Sequence, residues 1–153
     1  MQLSEHFALE DLTRSQTALR KGIDNTPSDD IVASLTVLCT DLLEPARALW
    51  GVPVQIDSGY RCPELNDAVG GADRLGHVSE HVFGRAADCI PLGLDLQEAF
   101  DQVRRSDLPY DQVIFECKAW IHLGKAADGV DPRRQALLAS GGPGAWRYSP
   151  VAD

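Results

Sequence analysis

The chain has no excess of positive charge, no long apolar run and no paired cysteine motif, and each absence removes a class of function. Its 14 lysines and arginines stand against 23 acidic residues, a formal charge of −9. Neutralising nucleic-acid phosphates needs a basic surface, so no nucleic-acid partner is expected, and an anionic membrane surface offers no electrostatic attraction. No apolar stretch approaches the roughly 20 residues of a membrane helix, so no membrane partner is expected either. The opening segment MQLSEHFALEDLTR lacks the charged-then-apolar layout of a signal peptide, and the expectation is a chain that is cytoplasmic on synthesis. Cys39, Cys62, Cys89 and Cys117 lie far apart and form no CxxC pair. They read as reduced thiols, mostly buried, and only weakly as a zinc site. No repeat, low-complexity tract or Pro/Gly/Ser-rich linker divides the 153 residues, which is the length of one domain with one hydrophobic core.

What is present is a succession of short periodic segments. LSEHFALEDL reads as a short helix with Ser4 as its N-cap. Residues 27–50 carry the strongest helical pattern, with Ile31, Leu35, Leu38, Leu42 and Leu49 on one face and Gly51 at the end; Pro45 should kink or split it. PVQIDSGYR alternates Val54 and Ile56 against Gln55 and Asp57, as a strand does. PELNDAV is a short helix stopped by GG, RAADCI a brief strand, and DLQEAFDQVRRS an amphipathic helix. DQVIFE and AWIHLG flank a tight turn and predict a hairpin. The core is expected within residues 3–124. The tail from about residue 140 to 153 reads as loose, with Trp146 its one candidate for docking. Helices at one end and strands at the other predict an α+β domain with a small, mainly antiparallel sheet.

Three polar residues stand out against apolar surroundings. In SEHVFGRAAD, His81 and Asp88 are separated by small or apolar residues and one arginine, and His122 lies in the second half of the predicted hairpin. Two imidazoles and one carboxylate suit a catalytic zinc, because three protein ligands leave a fourth position open. Gly84 would let the chain turn between His81 and Asp88, and Ala86 and Ala87 would allow close backbone approach.

Hydrolysis at such a metal also needs a base. If Cys117, Lys118 and Ala119 form the turn, Glu116 pairs with Trp120, and alternation puts its carboxylate on the face of His122, with Cys89 and Cys117 turned away. A two-residue turn would point Glu116 the other way. Arg61 is a candidate for holding a substrate carboxylate or a polarised oxygen, or for pairing with Asp57 or another surface acid. Ser79 would bind substrate or support its loop. His6 and His77 read as exposed and idle, and Trp120 as core.

SGYRCPELNDAVGG, SEHVFGRAAD and QVIFECKAWIHLG, in that order, resemble the M15 metallopeptidases, particularly the subgroup of zinc D-alanyl-D-alanine carboxypeptidases and phage cell-wall endopeptidases. The shared pattern is Ser79, His81, Gly84, Ala86 and Asp88, followed by Trp120 and His122, and the resemblance covers most of residues 3–124. It implies a compact α+β fold of the hedgehog or LAS type around an antiparallel sheet. It implies one zinc ion held by His81, Asp88 and His122, with Glu116 as base and Arg61 directed at the substrate. The segment ADRLGHV at 72–78, which contains His77, is longer than the pattern usually allows and leaves specificity open.

The function expected on these grounds is a zinc-dependent peptidase acting on peptidoglycan stem peptides, either at the terminal D-Ala-D-Ala bond or at an internal bond. The chain would act as a monomer on the periplasmic or cell-wall side, released there by another protein, as a phage or prophage lysin is. The alternative is a zinc-containing domain that binds cell-wall peptide or a phage structural partner without cutting.

Overall fold

The computed structural model describes residues 1–71, 78–142 and 144–151. The secondary structure begins with helices α1 (Leu9–Thr13), α2 (Gln16–Lys21), α3 (Asp29–Leu38) and α4 (Glu44–Trp50), followed by strand β1 (Val54–Ser58) and helix α5 (Pro63–Ala68). A 3-10 turn at Glu80–Phe83 leads into β2 (Ala86–Pro91), α6 (Leu96–Arg104), β3 (Gln112–Glu116), β4 (Trp120–Gly124), β5 (Gln135–Ser140) and β6 (Arg147–Pro150). The strands form one sheet in the order β1-β2-β4-β3-β5-β6. Every pairing is antiparallel except β3 with β5. The α+β expectation is met, and no helix among the described residues is long and apolar enough to cross a membrane.

Alternation along the strands gives the sheet two different faces. Ala87, Cys89, Val113, Phe115, Ile121 and Leu123 point into the main core, where they meet Leu35, Leu38, Leu42, Phe100 and Val103 from the helices. Asp88, Ile114, Glu116, Trp120 and His122 occupy the opposite face and line a cleft.

The long helical pattern of residues 27–50 survives Pro45 through a π-helical turn at Cys39–Leu43, closed by Glu44 N donating to Cys39 O. Proline has no N–H to donate, and the wider turn accommodates this without breaking the helix. The extra residue in that turn also shifts the phase of the helix after it. Leu49, expected inside, is 42 % exposed, and Trp50 is buried in its place, with its indole Nε1 donating to Ala99 O at 3.0 Å.

Three other expectations are corrected. Ser4 caps no helix; the first helix starts only at Leu9, and Ser4 Oγ instead donates to Glu44 Oε1 at 2.6 Å. His6 shares that carboxylate, Nδ1 to Oε2 at 2.8 Å, so it fastens the N-terminal segment to α4 and is not idle. The described part of the tail is not loose. Residues 147–150 form β6, which pairs with β5 in register Leu137–Pro150 to Ser140–Arg147. The sheet therefore extends two strands beyond the core expected at 3–124. Asp111 anchors the crossover to β5: its carboxylate accepts from Arg133 N at 2.8 Å and from Arg133 Nη2 at 2.6 Å, and Gln135 N donates to Asp111 O at 2.9 Å.

Candidate active site

The three candidate ligands reach one point from three elements. His81 sits in the 3-10 turn, Asp88 on β2 and His122 on β4, directly opposite Asp88 in the antiparallel register. All three are buried, and one donor atom from each lies within 4.8 Å of the other two. Among the described residues, this is the group of histidine, cysteine and acidic side chains close enough to hold a metal ion. No cysteine belongs to it. Cys89 faces the core, Cys117 is exposed, and all four thiols are unpaired.

Local geometry selects the ligand atoms. His81 Nδ1 lies 2.7 Å from Gly59 O; a carbonyl only accepts, so Nδ1 carries the proton and Nε2 is turned to the centre. That Nε2 lies 3.3 Å from Asp88 Oδ1, and His122 Nδ1 lies 3.1 Å from the same oxygen. A neutral His81 thus presents a lone pair to an anionic oxygen. A cation between them turns this opposition into coordination, so the donor set fits a metal. Gly59 permits the arrangement because any Cβ there would run into the backbone of Leu12. Gly84 closes the 3-10 turn at φ 68°, a left-handed conformation that glycine adopts without steric cost. Ser79 Oγ accepts from His81 N at 3.4 Å and supports the start of that turn.

Burial pushes the Asp88 carboxyl upwards, but the two imidazoles overcome it and hold the group well below the usual carboxylate range. His81 is lowered by burial, which outweighs the attraction of Asp88. His122 is also penalised by burial, yet its hydrogen bond to Asp88 raises it overall.

The hairpin turn has three residues. Glu116 pairs with Trp120, Ala119 N donates back to Glu116 O at 2.9 Å, and Cys117 and Lys118 adopt φ of 52° and 57°. Glu116 therefore faces the centre, with Oε1 3.7 Å from His122 Nδ1. Burial and the Asp88 charge raise its carboxyl above the ordinary glutamate value. Trp120 is not core as expected. It is half-buried on the cleft side and donates its indole Nε1 to Glu116 Oε2 at 3.0 Å.

Arg61 points into the same cleft and is held by three acceptors: Ser58 Oγ at 3.0 Å, Asn66 Oδ1 at 3.0 Å and Asp88 Oδ2 at 3.4 Å. Asp57 is not among these hydrogen-bonded partners, and the acid that Arg61 meets is the buried Asp88. The sequence reading missed Asn66, a buried polar residue of α5, five positions after Arg61. It also missed Asn25, whose Oδ1 accepts from Cys62 N at 2.7 Å while its Nδ2 donates to Tyr60 O at 3.1 Å. A polar residue within PELNDAV was the available signal for Asn66; nothing local to Asn25 announces its partner 37 residues away. His77 and residues 72–77 of the long loop lie outside the described residues, whereas Val78 lines the cleft.

The sequence model of the Peptidase M15 family matches residues 5–124. The chain belongs to the peptidase M15 family. Membership implies a metal-dependent peptidase, and the His81–Asp88–His122 group is where this M15 chain could hold its metal. No curated protein matches the chain. β5 and β6 lie beyond the residues matched, and both contribute to the cleft wall.

Proposed function

We propose that the chain is a zinc-dependent peptidase that hydrolyses a peptide bond in peptidoglycan stem peptides. The observation that carries this reading is the buried His81–Asp88–His122 group with Glu116 beside it, in a cleft of an M15 peptidase. His81 Nε2, Asp88 Oδ1 and His122 Nδ1 would hold the ion, and two nitrogens with one carboxylate are the donor set of catalytic zinc in hydrolases. Bound there, zinc would supply Lewis-acid activation of water and of the scissile carbonyl.

The chain's own residues provide the rest. Glu116 takes the proton of the attacking water at its carboxylate and delivers it to the leaving nitrogen as the C–N bond breaks. Its raised carboxyl suits both transfers, since the group must accept a proton and then give it up. Trp120 holds the far oxygen of Glu116, which keeps the near one turned to the centre. Arg61 brings positive charge to the side of the cleft where negative charge develops on the former carbonyl oxygen. Its tether to Asn66 and Ser58 fixes that charge before substrate arrives.

Purified sacculi digested with and without a chelator test the reading, with soluble products identified by mass spectrometry. Chelator-sensitive release of a defined peptide fragment is expected. A zinc-loaded protein that binds muropeptide and releases nothing would leave a binding domain in its place.

A further inference from the structure

The cleft face of the sheet continues well beyond the metal-binding group. Successive cross-strand partners run Ser58, Asp88, His122, Ile114, Leu137 and Pro150, one from each of the strands. The first three are polar and form or support the centre; the last three are apolar. A neighbouring row, Trp120, Glu116, Ala139 and Tyr148, loses its charge one strand further on, between Glu116 of β3 and Ala139 of β5. Ile114, Leu137 and Ala139 with Tyr148 make a small apolar cluster separate from the main core.

This apolar half is continuous with the centre. One cleft of about 980 Å³ is lined by Asp88 and His122 and also by Leu137, Trp146, Tyr148 and Pro150. Trp146 braces its far side, with indole Nε1 donating to Gly70 O at 3.1 Å. Adjacent strands lie about 4.8 Å apart, which puts β5 roughly 10 Å and β6 roughly 14 Å from β4. An extended peptide advances about 3.3 Å per residue, so roughly three residues would bridge from the centre to β5 and about four to β6. A dipeptide lying on the centre would not reach Leu137.

We propose that β5 and β6 form a subsite for three to four substrate residues on one side of the bond cut, so that oligopeptides are preferred over free dipeptides. The subsite rests on the peptidase reading and deepens it. Its floor is Ile114 and Leu137, and Tyr148, Trp146 and Pro150 form the sides. Because Leu137 and all three side residues lie outside the segment matched by the family, length selection is a property of this chain's own C-terminal strands.

The test uses zinc-loaded Glu116→Gln protein titrated with synthetic stem-peptide fragments of two to five residues, truncated from either end, by calorimetry and tryptophan fluorescence. Truncation from one end is expected to weaken binding by about tenfold or more, the effect of losing one or two buried apolar contacts. In the same background Leu137→Ala and Tyr148→Ala should bind long fragments no better than short ones while binding dipeptides as before. Circular dichroism confirms that each variant is folded, and the surface-near Tyr148→Ala remains informative if Leu137→Ala is not. Equal affinity for long and short fragments, or a length gain that survives both variants, overturns the subsite. If wild-type protein digests sacculi while affinity ignores length, only the subsite fails. If length-dependent binding is lost in the variants but wild type cuts nothing, the subsite stands and the peptidase reading fails. Absence of both binding and cutting rejects the two together.

Discussion

Trp120 Nε1 donates to Glu116 Oε2 at 3.0 Å across the first pair of the β3–β4 hairpin, so an indole set by the turn decides where a buried carboxylate points. The bond also opposes the upward push that burial and Asp88 exert on Glu116. Trp120→Phe keeps the ring and removes the donor. Losing one hydrogen bond of about 1 kcal/mol should lower kcat about fivefold, with KM and bound metal near wild type. Glu116 must be ionised to accept a proton, and removing a contact that lowers its pKa raises it further. The acid limb of the pH–rate profile should therefore move to higher pH, and an unmoved limb would remove Trp120 from this positioning role.

Metal retention and turnover should separate by residue. His81→Ala and His122→Ala each remove a donor and should lose both the ion and activity. Glu116→Gln is nearly isosteric and contributes no donor to the group, so it should keep a full equivalent of metal while kcat falls by about a hundredfold or more, the usual worth of a general base. Elemental analysis of dialysed protein alongside activity decides this, and metal-free Glu116→Gln would make Glu116 a ligand.

Asp111 carries a pH-dependent share of stability. Burial would raise its carboxyl, but the hydrogen bonds from the Arg133 side chain and backbone outweigh this and lower it. A carboxyl lowered in the folded state stabilises fully above its unfolded pKa and loses that contribution as pH falls through the lower folded value. Asp111→Asn should cost about 1–2 kcal/mol near neutrality, with Arg133 largely exposed keeping the figure small. The gap between variant and wild type in urea melts should begin to close below about pH 4, near the unfolded aspartate value, and shrink further as pH falls through the lower folded value. A gap independent of pH would mean that the cost is geometric rather than ionic.

The four thiols should react at very different rates. Burial, helped by the charge of Glu44, pushes Cys39 up to about 12, and burial places Cys89 well above its ordinary value. Cys117 is exposed at the hairpin turn. Alkylation of native protein near pH 8, read by peptide mass spectrometry, should label Cys117 first and reach Cys39 and Cys89 only after unfolding. Early labelling of Cys89 would mean that β2 is not packed against the helices.

Much of the fold is written in local patterns. The alternation of QVIFE and WIHLG, the period of α3 and α6, and the caps around α5 all follow from neighbours within a few residues, and each element formed where its pattern ran. The ordered motifs containing His81, Asp88 and His122 were legible for the same reason, since each is short and contiguous. β5 and β6 were not. QALLAS and RYSP are brief and weakly patterned, and they become strands because β3 offers an open edge and Asp111 fastens the crossover through Arg133.

By itself, then, the sequence determined most of the elements from α3 to β4, the α+β class and the identity of the candidate ligands, because local propensity and motif order are properties of contiguous residues. Tertiary structure decided the rest. A three-residue turn aimed Glu116 at His122, Gly59 O chose which nitrogen of His81 faces the centre, and Asn66 and Asp88 captured Arg61. Each of these depends on atoms brought within 4 Å from distant or oppositely facing residues, and no local pattern encodes such a distance.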